Sequence, residues 1–123
     1  MVDKMGAPSV QNNDILRFLL ERSLFTSRQF EMISKRLAGE RSPQARSRGA
    51  YYRLLKQSRD KMEAVLYGVL LLEGIGFIDE AKREALQRLS RQVLVMRSGD
   101  IDEGTARDVT RILDEVVRRI SRI

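Results

Sequence analysis

The chain has 123 residues, of which 42% are hydrophobic and 33% charged, so its length and composition allow one globular domain with a charged surface. It contains no cysteine and no histidine, which excludes disulfides and removes the commonest metal ligand and the commonest general base. We therefore expect a cytoplasmic, non-enzymatic protein without a cofactor or bound metal. The longest apolar run, residues 64–72, is shorter than the roughly 20 residues that span a bilayer.

The net charge of +6 is concentrated in one third of the chain. Residues 17–61 hold twelve basic and four acidic residues, whereas residues 62–123 hold ten basic and eleven acidic ones. No acidic residue lies between Glu40 and Asp60. Because solvated helix faces usually mix both signs of charge, this pattern favours a polyanion-binding site over a merely solvated face.

The first helices of the chain are predicted from apolar spacing and capping residues. Residues 1–12 have the composition of a disordered tail, and a first helix is predicted over residues 13–22. Thr26 and Gln29 have the spacing of a capping box that starts a second helix. Gly39 has the position of the left-handed residue that ends many helices.

A long third helix is predicted from Pro43, or from just after Ser47, to about Glu73. At 3.6 residues per turn, its first half has a core side and an opposite basic side. The core side carries Tyr51, Leu54 and Leu55, and the basic side carries Arg48, Tyr52, Lys56 and Arg59.

The second half of this helix is apolar nearly all round between residues 64 and 72. Such a segment is typical of a helix buried on several sides. We therefore expect Leu66 and Leu70 to be buried, either in the centre of the fold or at a subunit interface.

Two further helices are predicted at the C-terminus, one capped by Asp79 and one starting near Asp102 or Thr105. The predicted fold is all-α, with a helix-turn-helix, a long central helix and a C-terminal helical hairpin. Within one compact domain, residues 13–76 would bind nucleic acid and residues 77–123 would form a dimer. The predicted seam of this dimer consists of Val109, Leu113, Val116 and Ile120, and the alternative is that these residues fold back onto the third helix.

The sequence TSRQFE at residues 26–31, followed by SRGAYYR at residues 47–53, resembles archaeal helix-turn-helix regulators whose domain is similar to region 4 of sigma factors. In that group, a T-x-R-Q start to one helix precedes a basic recognition helix. The resemblance covers about residues 24–61. It implies DNA contact by Arg28, Arg46, Arg48, Tyr52, Arg53 and Lys56.

The leading functional prediction is a DNA-binding transcription regulator or chromatin-associated protein that acts as a homodimer. Arg59 extends the basic side of the third helix, and Ser47 at its start could hold a phosphate together with free backbone amides. The two alternatives are an RNA-binding protein and a helical interaction module with an acidic protein partner.

Overall fold

The computed structural model describes residues 13–41, 47–97 and 101–123, and in these ranges the chain forms five α-helices and no strand. The all-α prediction is therefore confirmed. The helices are α1 (Asp14–Arg22), α2 (Ser27–Leu37), α3 (Arg48–Gly74), α4 (Glu80–Met96) and α5 (Glu103–Ile120). The predicted tail and the predicted contact residue Arg46 lie outside the described residues. None of the helices in the described ranges combines the length and the apolarity that crossing a membrane requires.

Polar side chains cap the helices at the places that the sequence predicts. Thr26 and Gln29 form the predicted capping box of α2, and Gly39 follows this helix with a φ of 93°. Asp79 caps α4, and Asp102 caps α5 by accepting hydrogen bonds from the amide and hydroxyl groups of Thr105. These hydrogen bonds lower the pKa of the Asp102 carboxyl group, because they stabilise its charged form.

The first of two hydrophobic clusters joins the two ends of the chain. Its buried residues are Ile15 of α1 and Ala106, Val109 and Leu113 of α5. Side chains of α4, among them Leu89 and Val93, pack against this cluster and are partly buried. Thus α1 packs against α5, whereas the predicted division of the chain grouped the first helix with the nucleic-acid-binding region. The apolar side of α1 needs a complementary stripe, and α5 supplies one with Ala106, Val109 and Leu113.

The second hydrophobic cluster joins α2 to the first half of α3. Met32, Tyr51 and Leu55 are buried in it, and Leu54 packs against them. The Arg36 guanidinium also donates a hydrogen bond to the Tyr51 hydroxyl at 3.2 Å. This packing fixes the rotation of α3 about its axis, so that the side opposite α2 is turned towards solvent.

The second half of α3 is exposed. Every buried residue of α3 lies at or before Ser58, whereas Leu66 and Leu70 are 65% and 61% exposed. The prediction that these leucines lie in the centre of the fold is therefore wrong. Apolarity on all sides indicates that a helix needs cover, but the described part of the chain does not supply it.

A buried asparagine links the start of α1 to the end of α4. Asn13 is 1% exposed, and its Oδ1 accepts a hydrogen bond from the Leu16 amide at 3.0 Å. Its Nδ2 donates to the carbonyl oxygens of Met96 and Arg97, both at 2.9 Å. One side chain thus caps α1 and satisfies carbonyl groups at the C-terminus of α4, where helices leave such groups without partners.

We expect Asn13→Ala to lower the free energy of unfolding by about 1–3 kcal/mol, because it leaves buried backbone groups without partners. Asn13→Ser keeps an oxygen that can cap α1 but lacks the amide donor, so it should restore only part of the loss. Urea unfolding followed by circular dichroism measures both changes. The exposed Gln87→Ala serves as the control. Full recovery in Asn13→Ser would show that the bonds to α4 contribute nothing.

The first cluster is tested by Leu113→Ala. Leu113 is 3% exposed, so its truncation should cost about 2–5 kcal/mol through lost burial and the cavity that remains. The matched change Val117→Ala, at a position of the same helix that is 50% exposed, should cost no more than about 0.5 kcal/mol. Equal costs in denaturant titrations would contradict the assigned packing of α5.

Candidate nucleic-acid interface

The first half of α3 presents one side to α2 and another to solvent. Tyr51, Leu55 and Ser58 are buried. The exposed residues on the solvent side recur three or four positions apart and therefore share one side of the helix. We call these residues the basic stripe: Arg48, Tyr52, Lys56 and Arg59. Arg53 is also exposed, but it lies on a neighbouring side, since consecutive helical residues are about 100° apart.

The aromatic residue of the basic stripe is held in place by the core. Tyr52 is 50% exposed, and the edge of its ring meets the ring of Tyr51 at a centroid distance of 5.1 Å and an interplanar angle of 90°. Tyr51 is in turn buried against α2 and hydrogen-bonded by Arg36. An aromatic surface is thus presented to solvent beside three cations, and the buried neighbour restricts its movement.

The cations of this half of α3 differ in their partners. Lys56 donates a hydrogen bond to the Asp60 carboxylate at 2.8 Å. This hydrogen bond, together with the negative charge of Asp60, raises the pKa of the Lys56 ammonium group. Among the described residues, Arg48, Arg53 and Arg59 form no ion pair. These three guanidinium groups are therefore available to an anionic ligand, whereas Asp60 competes for Lys56.

Two other predicted contact residues lie at the starts of α3 and α2. Ser47 caps the helix, and its Oγ accepts a hydrogen bond from the Ala50 amide at 3.2 Å, which leaves the hydroxyl proton for another partner. Arg28 is exposed in the first turn of α2. Residues 42–46, between α2 and α3, lie outside the described residues, so the helix-turn-helix arrangement stays a prediction.

The predicted dimer seam is divided between the core and the surface. Val109 and Leu113 are buried in the first cluster, so a second chain cannot reach them without opening that cluster. Val116 and Ile120 are half-buried. The alternative prediction had α5 folding back onto the third helix, but Val109 and Leu113 are covered by α1 and α4.

A groove between α4 and α5 was not predicted from the sequence. It has a volume of about 300 Å³, an apolar floor that includes Leu89 and Val116, and two exposed arginines, Arg88 and Arg119, in its lining. Its lining comes from two separate helices, so no local motif could have indicated it. Among the described residues, no group of three or more acidic side chains is placed to hold a metal ion.

Comparisons with known proteins give no relative. The chain matches no protein-family model and has no significant match among curated proteins or solved structures.

Proposed function

We propose that this protein binds nucleic acid, and specifically duplex DNA, through the basic stripe of α3 and the neighbouring Arg53. The observation that supports this most strongly is the set of three exposed guanidinium groups, Arg48, Arg53 and Arg59, without ion-pair partners among the described residues. They lie in a segment that has no acidic residue between Glu40 and Asp60. A strong basic field on a rigid helix is typical of phosphate recognition.

The dimensions of the stripe suit a duplex. Arg48 and Arg59 are eleven residues apart, which corresponds to about 16 Å along the helix axis at 1.5 Å per residue. Phosphates of one strand lie about 3.4 Å apart along the DNA axis, so a stripe of this length is long enough to reach several successive phosphates. The major groove admits an α-helix, and the planar fork of arginine can hold either phosphates or the two acceptors of guanine.

Two properties of the site favour a duplex over single-stranded RNA. Recognition of single strands depends on several aromatic side chains on which bases stack, and the basic stripe holds one, Tyr52. The arginines instead follow one another along a straight helix. A DNA-binding role of this kind fits transcription regulation or chromatin association, and the proposal retains a homodimer because paired recognition helices match paired half-sites on DNA.

The central test removes the three unpaired arginines of α3. Binding of the full-length protein to a labelled duplex, followed by fluorescence anisotropy, should weaken with salt with a log–log slope of about −0.9 per phosphate contact. Arg48→Ala/Arg53→Ala/Arg59→Ala should reduce affinity at least about tenfold and flatten the slope by about 2.7 if each arginine contacts one phosphate.

The control for this experiment removes the same amount of charge elsewhere. Arg91→Ala/Arg107→Ala/Arg122→Ala acts on exposed residues of the C-terminal half and should leave the slope unchanged. Equal losses in the two variants would contradict a localised site. Parallel titrations with duplex RNA, single-stranded RNA and an acidic polypeptide identify the ligand class. Tighter binding to any of these than to duplex DNA would overturn the assignment to DNA.

A substitution of Asp60 tests the same site by a change that should strengthen DNA binding rather than weaken it. Asp60→Asn removes the carboxylate that hydrogen-bonds Lys56, so the pKa of Lys56 should fall towards its ordinary value while the ammonium group stays charged at neutral pH. Lys56 is then free to contact a phosphate, and DNA binding should tighten with a slope steeper by up to about 0.9. Asp108→Asn removes a similar exposed partner, that of Arg111, and should have no such effect. If the two variants behave alike, Lys56 lies outside the site.

A further inference from the structure

The second half of α3 carries an apolar surface that the described part of the chain leaves open. Four of its side chains and that of Ile75, which directly follows α3, are each 61–70% exposed, and we call them the apolar patch: Leu66, Tyr67, Leu70, Leu71 and Ile75. Residues 64–72 include no charged residue. Contiguous apolar surface of this kind along an exposed helix marks an interaction site rather than ordinary monomer surface.

We propose that the apolar patch is the interface between two copies of this chain, with the two α3 helices packed antiparallel around a two-fold axis. Each partner in a stable interface of standard size buries about 800 Å², and five large apolar side chains that are each more than 60% exposed supply a large share of such a surface. The cores of homodimer interfaces are also depleted in charge, as the patch is. This inference does not depend on nucleic-acid binding.

The distribution of charge selects the antiparallel arrangement. All of the excess positive charge lies in residues 17–61, which include the first half of α3. Two parallel helices would place these basic halves side by side, at the 8–10 Å that separates packed helices. Antiparallel helices place them at opposite ends of the dimer, several Debye lengths of about 8–10 Å apart at ordinary salt concentrations.

The association is tested by sedimentation equilibrium of the full-length chain over the micromolar range. We expect a species of twice the 14.2 kDa chain mass. Leu66→Gln/Leu70→Gln should raise the dimer Kd at least tenfold without loss of helical circular dichroism, because both side chains are exposed within one chain. Leu94→Gln/Val95→Gln changes two exposed apolar residues of α4 and should leave the dimer intact. A wild-type chain that stays monomeric, or a dimer that survives the α3 substitutions, overturns the proposal.

A distance measurement tests the arrangement without changing the patch. The chain has no cysteine, so a spin label attached through Gln57→Cys is the only one in each copy, and this position is exposed on α3. Gln57 lies about thirteen residues from the middle of the patch, so antiparallel helices should separate the two labels by about 40 Å. A distance below about 20 Å would indicate parallel helices, and the absence of any label-to-label distance would overturn the interface.

Discussion

The structure depends on a single uninterrupted helix that is longer than its partner within the chain. α3 has 27 residues, which corresponds to about 40 Å at 1.5 Å per residue, whereas α2 has 11 and packs against the first half alone. Because α2 covers one side of that half, the basic stripe is turned to solvent. Because the second half has no comparable cover in the described chain, its apolar side chains remain exposed. The difference in length between α3 and α2 thus produces both the exposed basic stripe and the exposed apolar patch.

The remaining helices form a separate cluster from the two ends of the chain. Ile15 of α1 is buried against α5, and Asn13 bonds to carbonyl groups at the end of α4. In the sequence, the α2–α3 pair therefore lies between α1 and the two C-terminal helices, and these three helices pack on one another. Val109 and Leu113 are buried in this cluster. Two of the four residues predicted for the dimer seam are therefore not available to a second chain.

Local features of the fold were predictable from the sequence, and features that join distant residues were not. The capping box of Thr26 and Gln29 could be recognised because both partners lie within one turn of helix. The two sides of α3 around Tyr51 and Tyr52 follow from the helical repeat. The pairing of α1 with α5 and the bonds of Asn13 join residues more than eighty positions apart, and no periodicity encodes such a choice. Similarly, the apolarity of Leu66 and Leu70 indicates that they need cover but does not identify the chain that provides it.

The division of α3 into a basic half and an apolar half is tested most directly by hydrogen exchange on the full-length protein, measured at low and high concentration with and without duplex DNA. DNA should slow exchange in peptides from the first half of α3, and higher protein concentration should slow exchange in peptides that contain residues 64–75. Protection by DNA centred on α5, or exchange in residues 64–75 that does not change with concentration, would contradict this division.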